Sequence, residues 1–279
     1  MKRHRRPRGS SPGFFKKIVA DDIFFLASGL AFNFLICFIP LLLVGLSILG
    51  YFLHSSQEFM GYVRVYIEKM LPQASPKLTA NILNLVKDRK LVGLIGFLGL
   101  LWASTRFFGS IRTVLDKTLD ITWPHGFIKE KLADLLMVLV SGFLFLISII
   151  FSGMVDLIRS LPARMGLGFP GFMQTEWTGK LVGLGGGYLF SLLLFFFMYR
   201  FLPSQRPTNR EALLAAMLIA GLWDGAKYLF RLYVNLLNNF TAIYGSFGLL
   251  VVFIFWIYYS SLIFVLGGEI LWLQRRRKH

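Results

Sequence analysis

Two charged side chains, Asp224 and Lys227, lie inside the mostly apolar stretch GLWDGAKYLFR, residues 221–231. If the surrounding segment enters a membrane near residue 211, Asp224 lies about 20 Å deep in a hydrocarbon core about 30 Å thick. An ionisable group at that depth is costly and is a functional hypothesis by default. Lys227 is three residues further on, on the same helix face, so the two can form an ion pair. Two interpretations stay open: a polar path for a substrate or ion, and a packed local pair.

Two residues of other apolar segments fall at a similar depth, Pro40 and Ser260. Proline cannot donate a hydrogen bond to the carbonyl of Ile36, so a helix kinks there. The freed carbonyl is tolerated only where protein or a water-filled cavity can satisfy it. The path hypothesis therefore contains Asp224, Lys227, Pro40 and Ser260, and a purely structural kink is the alternative for Pro40.

Glu269 follows two glycines near the end of the last apolar segment. Arg106 and Arg112 are predicted to lie at the same membrane face, so either can pair with it. We interpret these three residues as a charge latch between helices at the cytoplasmic side. Breaking a buried pair by removing one partner is destabilising, which makes the latch testable by a charge swap.

Glycines four residues apart predict close helix packing. Gly221 and Gly225 flank Asp224 in this way, and Gly183 and Gly187 form a second such pair. Further glycines recur at positions 93, 96 and 99. We expect neighbouring helices to approach one another at these positions.

Enzymatic activity is not expected, because no catalytic constellation is visible. The four histidines are isolated, at positions 4, 54, 125 and 279, and the 14 acidic residues are scattered. Hydrolysis of RNA would need clustered metal-binding carboxylates or a histidine acid and base. The single Cys37 cannot form an intrachain disulfide. There is also no GxxxxGK loop, so we expect no metal, no cofactor and no ATP hydrolysis in this chain.

The composition explains which elements must position these residues. Hydrophobic residues make up 56% of the chain and charged residues 16%, so much of the surface must face a bilayer. A spanning helix needs about 20 mainly apolar residues. We predict an all-α protein with one transmembrane domain, residues 27–273, between a basic N-terminal segment, 1–26, and a basic tail, 274–279. The six predicted spans are residues 27–53, 91–108, 132–152, 181–202, 211–231 and 247–273.

The distribution of positive charge predicts the orientation. The termini and the connections on their side hold 19 Lys and Arg residues, and the other side holds 10. By the positive-inside rule both termini are cytoplasmic. In the first external connection, residues 54–90, apolar residues recur at helical spacing. These segments are either amphipathic helices on the outer leaflet or a packed external subdomain.

Four segments carry a resemblance to a known family: LAFNFLICFIPLLLV (30–44), LLWASTRFFGSIRTVLD (100–116), YRFLPSQRP (199–207) and YGSFGLLVVFIFWIYYSSLIFVLGGEI (244–270). From about residue 15 to its end the chain resembles the YihY/BrkB family of bacterial inner-membrane proteins. The resemblance implies six transmembrane helices and an inner-membrane location. The family carries an old ribonuclease BN label regarded as mistaken, a virulence label, and suggestions of transport or lipid handling. Many members have a longer polar tail, so we expect any activity of such a tail to be absent here.

The sequence and the resemblance together predict a transporter or flippase for a lipid-like or amphiphilic substrate. One alternative is an ion- or proton-coupled exporter that uses Asp224 as its titrating carboxylate. Another is a scaffold for envelope assembly that transports nothing. As partners we expect membrane lipids, with anionic lipids at the cytoplasmic face next to the basic termini. We expect no nucleic acid, and the sequence leaves a homo-oligomer open.

Overall fold

The computed structural model describes residues 14–53, 89–121, 131–147, 150, 176–236 and 246–276, and every regular element in these ranges is a helix. Residues 122–130 and 151–175, before and after the fourth helix, lie outside these ranges. The seven helices are α1 (Phe14–Ala20), α2 (Ile23–Leu53), α3 (Arg89–Thr118), α4 (131–147), α5 (Glu176–Phe201), α6 (Asn209–Leu236) and α7 (Ser246–Arg276).

Each of the six predicted spans overlaps one of the helices α2 to α7. Four helical segments in the described ranges are long and apolar enough to cross a bilayer: Ile23–Gly45, Lys90–Thr118, Asn209–Val234 and Leu250–Arg276. Gly185–Phe201 is a shorter apolar helix. The six-span topology and the cytoplasmic termini stay predictions. The amphipathic segments predicted between residues 54 and 88 lie outside the described residues.

Helix α3 continues to Thr118, well beyond residue 108 where the second span was predicted to end. It includes the polar residues Ser104, Thr105 and Arg106, and each of these side chains has a polar or aromatic contact nearby. The Ser104 hydroxyl lies 3.5 Å from the Cys37 sulfur of α2, and the Thr105 hydroxyl donates to the Trp102 carbonyl at 2.8 Å. The Arg106 side chain is exposed, with its guanidinium 5.5 Å from the centroid of the Trp102 ring. The polar interruption therefore does not end the helix.

Helices α2 and α3 pack closely because α3 presents glycines to α2. A Cβ atom at Gly96 would lie 2.9 Å from Leu43 Cβ and 3.0 Å from the Val44 backbone nitrogen. A Cβ atom at Gly99 would lie 3.3 Å from Pro40 Cβ. Pro40 thus lies inside α2 without ending it, and its ring is near the α3 backbone. The expectation of close packing is met here at glycines of α3.

The rest of the bundle is arranged around α7, which contacts α1, α2, α3 and α6, while α5 packs on α6. Helix α6 buries a face of small residues at helical spacing, which allows its neighbours to approach closely. Many large apolar side chains on α2 to α7 remain exposed, the surface that a bilayer covers. The buried face of α6 consists of Ala212, Ala215, Ala216, Ile219 and Ala220.

Candidate functional site

Asp224 and Lys227 form the ion pair that their spacing allows. The Lys227 Nζ atom lies 2.5 Å from Asp224 Oδ1, and the two side chains are 41% and 30% exposed, respectively. The pair is therefore not sealed inside the bundle. Because α6 is long and apolar enough to span a bilayer, an exposed charge pair on it needs water, lipid headgroups or another protein surface as its surroundings.

An apolar cavity of about 370 Å³ lies between α2, α3, α5, α6 and α7, and we call it the central cavity. Half of the residues that line it are aromatic, and several of their rings contact one another. The Trp223 and Trp256 ring centroids are 5.3 Å apart, and Phe195 meets Trp223 edge to face at 5.9 Å. Such ring contacts fix the shape of the wall. The other aromatic residues that line the cavity are Phe34, Phe38, Phe107, Phe190, Phe253 and Phe264.

Three serines, Ser191, Ser260 and Ser261, interrupt this apolar wall. The Ser260 Oγ atom is buried and has no hydrogen-bond partner among the residues that the structure describes. A buried hydroxyl gains free energy from any donor or acceptor that reaches it. The central cavity thus combines a large apolar surface with a few polar points, the usual character of a small-molecule site.

The four residues of the predicted path do not come together. Asp224 and Lys227 pair with each other, Pro40 packs near Gly99, and only Ser260 lines the central cavity. The depth estimate placed all four at one level, but a residue's level does not determine which way it faces. Trp223 lines the cavity, so the next residue of α6, Asp224, points about 100° away from it.

At the end of the bundle where α1 lies, three carboxylates surround Lys17. The Lys17 Nζ atom donates to Asp21 and lies 3.7 Å from both Asp120 Oδ1 and Glu269 Oε2. Lys17 is 1% exposed and Glu269 is fully buried. The ammonium group also lies 4.7 Å from the centroid of the Trp272 ring, a cation–π contact. We call these five residues the Lys17 cluster.

Two turns with left-handed backbone bring the aspartates to Lys17. Asp22, between α1 and α2, has φ of 52°, and Asp120, after α3, has φ of 54°. At the end of α3 the Ile121 N–H donates to the Asp116 carbonyl and the Asp120 N–H to the Lys117 carbonyl. This is the Schellman pattern, in which glycine is usual and aspartate is tolerated. The two turns therefore direct the α1–α2 junction and the end of α3 toward the same lysine.

The predicted latch between Glu269 and Arg106 or Arg112 is not the one that the structure contains, since Glu269 pairs with Lys17. Arg112 instead donates to Asp134 Oδ1 at 2.6 Å and to the Leu202 carbonyl at 3.1 Å. The reason is that α3 extends to Thr118, and it is Thr118 that lies against Gly268, the residue before Glu269. Arg112 and Arg106 precede Thr118 by about 9 Å and 18 Å along the axis of α3, so neither is next to Glu269.

A second cavity, of about 700 Å³, lies beside the loop that joins α5 to α6, and we call it the loop cavity. The loop is tied to α3, because the Ser204 N–H and hydroxyl both donate to Asp116, at 2.8 and 2.6 Å. It is also tied to α7, because Arg275 donates to Gln205 at 3.3 Å. The cavity is lined by Arg112, Leu132, Ala133, Leu136, Phe201, Leu202, Pro203, Ser204, Gln205 and Arg206.

The comparison with protein families identifies the chain. The family model described as virulence factor BrkB matches residues 14–279, nearly the whole chain. The chain belongs to the BrkB family. This confirms the resemblance drawn from the four sequence segments.

Several relatives of this BrkB-family chain have names. The ribonuclease-like protein YfkH of Bacillus subtilis is 25% identical over 251 residues, which cover 89% of each chain. A UPF0761 membrane protein of Chlorobium phaeobacteroides is 27% identical over 92% of this chain and 55% of its own length. One of Legionella pneumophila is 26% identical over 90% of this chain and 58% of its own length. The chain thus spans little more than half the length of these two relatives. No solved structure matches the chain.

The family match and the apolar helices together establish the location. Relatives are named membrane proteins, and four helices are long and apolar enough to span a bilayer. This BrkB-family chain is a multi-pass protein of the bacterial inner membrane. Among its described residues, no group of three or more His, Cys, Asp or Glu side chains is arranged to hold a metal ion.

The Gly-Gly-Glu sequence that carried part of the BrkB resemblance makes three contacts in a row. A Cβ atom at Gly267 would overlap the Tyr199 hydroxyl, and one at Gly268 would lie 3.2 Å from Thr118 Cβ. Glu269 then meets Lys17. Tyr199 donates to the Phe264 carbonyl at 2.9 Å, so α5 is held against the α7 backbone. Three consecutive residues of α7 thus contact α5, α3 and α1.

The other predicted packing glycines behave differently. Nothing lies within 4 Å of a Cβ atom built at Gly187, Gly221 or Gly225, so no helix in the described part of the chain packs against them. The surroundings of Gly183 lie outside the described residues. Four-residue spacing indicates where a helix can be approached and not whether a neighbour is there.

Sequence reasoning missed Lys17, Asp21, Asp120 and Asp134. Lys17 and Asp21 lie in the segment interpreted as a basic flank and Asp120 in a connection, whereas Asp134 lies inside the predicted span 132–152, where it was not singled out. One signal was present: Lys17 and Asp21 are four residues apart, the spacing of a helical ion pair. Asp120 could not have been found this way, because its approach to Lys17 depends on the turn after α3.

Proposed function

We propose that this BrkB-family protein moves a lipid-like or amphiphilic molecule across the inner membrane. The observation that carries the proposal is the central cavity. Its volume of about 370 Å³ lies within the usual range for ligand sites, about 300–1,000 Å³. It lies between five helices of a membrane protein, and in this proposal an apolar molecule enters it from the bilayer.

The wall of the cavity suits the apolar part of an amphiphile. Aromatic rings offer a large contact area to an acyl chain at little cost in conformational entropy. The hydroxyl groups of Ser191, Ser260 and Ser261 offer hydrogen bonds to an ester or a headgroup. The unpartnered Ser260 Oγ atom is the strongest of these points.

The pair of Asp224 and Lys227 suits the polar part of the same molecule. Trp223 lines the cavity, and the pair begins at the next residue, on a partly exposed face of α6. A zwitterionic pair can exchange its internal contact for contacts with a charged headgroup. In this proposal the acyl part occupies the cavity while the headgroup passes along the charged face.

Two alternatives predict different results. An ion- or proton-coupled exporter would use Asp224 as a titrating carboxylate, and a scaffold would use the same charges for assembly alone. The proposal includes no enzymatic activity for this chain, and incubation of the purified protein with RNA checks that point. The name ribonuclease-like belongs to the relative YfkH.

The test is reconstitution of the purified protein into vesicles that contain a phospholipid with a fluorescent headgroup. A membrane-impermeant reductant bleaches the outer leaflet, and movement of lipid appears as bleaching beyond that leaflet. We expect movement with the unmodified protein and slower movement with Asp224→Asn at matched abundance. Proton and sodium flux are recorded in the same vesicles.

Each outcome separates the candidates. Flux of protons or sodium that Asp224→Asn abolishes, without lipid movement, would favour the exporter. No lipid movement and no ion flux from the unmodified protein would contradict both transport candidates. Unchanged lipid movement in Asp224→Asn would contradict the role of the charged pair, and the central cavity alone would then remain in the proposal.

A further inference from the structure

Two arginines, Arg200 and Arg206, contact the ring of Phe201, which lines the loop cavity, and Arg206 lines the cavity as well. The Arg200 guanidinium carbon lies 5.6 Å from the centroid of the Phe201 ring, and that of Arg206 lies 5.8 Å from it. Both guanidinium groups therefore lie against one ring at the end of α5. Cation–π contacts with the same ring offset only part of the repulsion between them. We call these two residues the arginine pair.

Neither member of the arginine pair has an ion-pair partner among the residues that the structure describes. Arg200 donates through Nε to the neutral Asn209 side chain, while its Nη1 atom is buried and has no hydrogen-bond partner there. Arg206 is exposed and contacts the Phe201 ring. A buried guanidinium N–H without an acceptor is costly, and an anion is the acceptor that suits it best.

The nearby carboxylates already accept hydrogen bonds from other groups. Asp134 accepts from Arg112, Asp116 accepts from Ser204, and Glu211 accepts from the Thr208 N–H at 2.9 Å in a helix cap. Arg275 brings a further positive charge to the loop through Gln205. Asp116 and Glu211 keep their negative charge, but the four arginines named here, Arg112, Arg200, Arg206 and Arg275, outnumber the three carboxylates, Asp116, Asp134 and Glu211, so this set of groups has a net charge of +1.

The part of the loop cavity that α4 lines is apolar, and its leucines are exposed. Leu132 and Leu136 of α4 line the cavity and are 66% and 53% exposed. The loop joins the end of α5 to the start of α6, the level at which lipid headgroups lie if these helices cross the bilayer. One wall thus suits a phosphate and the other suits acyl chains.

We propose that the loop cavity binds the headgroup of an anionic phospholipid, with its phosphate bound by Arg206 of the cavity lining and by Arg200 beside Phe201, and its acyl chains along α4. Guanidinium groups bind phosphate oxygens with two parallel hydrogen bonds, which a lysine cannot reproduce. The inference extends the proposed function by naming the headgroup charge of the lipid. It does not require that the lipid is moved.

The alternative for these arginines is a topology signal, which requires positive charge alone. Replacement by lysine separates the two, because Arg200→Lys with Arg206→Lys keeps the charge and removes the paired hydrogen bonds. Replacement by glutamine removes both. Arg231→Gln is a matched control, since Arg231 is an exposed arginine of α6 far from the loop.

The experiment is a lipid titration of the full-length protein in detergent micelles, followed by native mass spectrometry. The probes are phosphatidylglycerol and phosphatidylcholine with identical acyl chains, and inorganic phosphate is added as a competitor. We expect phosphatidylglycerol to bind at least about tenfold more tightly. We expect a loss of about tenfold in the double glutamine variant, a smaller loss in the double lysine variant, and no change in Arg231→Gln.

Three results would overturn the inference. These are equal binding of the two lipids, unchanged binding in the double glutamine variant, or displacement of the lipid by inorganic phosphate at equal concentration, which would assign the site to free phosphate. Arg206→Gln alone repeats the test if the double variant unfolds, because Arg206 is exposed. Binding is measured here without movement, so anionic lipid binding without transport would contradict the proposed function alone. Transport without this binding would contradict this inference alone.

Discussion

The pair of Asp224 and Lys227 and the Lys17 cluster contain the same chemical groups in different surroundings. Both bring a lysine and an acid together on one helical turn. The first pair is 30% to 41% exposed on α6, whereas Lys17 and Glu269 are 1% and 0% exposed where α1, α3 and α7 meet. The first lies deep in an apolar sequence and the second next to a basic flank. We therefore expect that charges hold the bundle together where neighbouring helices bury them, and that the position of a charge within an apolar segment does not decide this.

This difference suggests that the Lys17 cluster stabilises the fold and that the Asp224 pair serves function. The Lys17 cluster ties together parts of the chain that are far apart in sequence, so its loss affects the fold. The Asp224 pair can change partners without disturbing a core, so its loss affects function. Substitutions in the two regions test this difference, and the largest effect on stability is expected at Lys17.

Lys17→Met is expected to destabilise the protein by at least about 3 kcal/mol, because it leaves buried carboxylates without their cation. Thermal unfolding of the purified protein in detergent measures the effect. Lys16→Met is the control, since Lys16 is the exposed neighbour. Adding Glu269→Gln to Lys17→Met should restore part of the loss. Equal unfolding temperatures for Lys17→Met and Lys16→Met would contradict the structural role of the Lys17 cluster.

Gly267→Ala is expected to cost about 1–3 kcal/mol, the usual range for overpacking a core. Its Cβ atom would overlap the Tyr199 hydroxyl and lie 2.7 Å from Ile219 Cγ1. Gly225→Ala is the matched control, because nothing lies within 4 Å of the added atom. The same unfolding measurement checks both variants. A larger effect at Gly225 would show that a group beyond the described residues packs there.

Asp224→Asn is expected to change the stability by less than about 1 kcal/mol, since partly exposed ion pairs contribute little. Its abundance in the membrane should equal that of the unmodified protein. A large loss of stability or abundance would give this pair the structural role assigned to the Lys17 cluster. It would also favour the scaffold alternative.

Much of the fold could be predicted from the sequence, because apolar length alone locates helices in a membrane protein. All six predicted spans overlap helices, including the second one, which contains the polar residues Ser104, Thr105 and Arg106. Helix α3 is longer than predicted because Ser104, Thr105 and Arg106 find partners in or near the helix. Hydropathy counts polar residues as interruptions and cannot foresee those partners.

The candidate sites were less predictable, because they depend on which way each helix faces. The sequence indicated the pairing of Asp224 with Lys227 and the polar role of Glu269, but it assigned the wrong cations to Glu269. Lys17 reaches Glu269 from α1, a short helix that joins α2 through a left-handed turn at Asp22, and the sequence did not predict that turn. The central cavity was not foreseen, since its wall is built from apolar residues of five helices that look like ordinary spans.

The most direct test of the proposed function is lipid movement in vesicles after the central cavity is filled. Ser260→Phe introduces a ring at the cavity wall, and Ser28→Phe introduces the same ring at an exposed position of α2. Both variants are compared with the unmodified protein at equal folded amounts in the vesicles. We predict that Ser260→Phe reduces the rate of lipid movement at least about tenfold, which corresponds to about 1.4 kcal/mol in the barrier, while Ser28→Phe leaves it unchanged. Equal rates for Ser260→Phe and the unmodified protein would contradict the role of the central cavity.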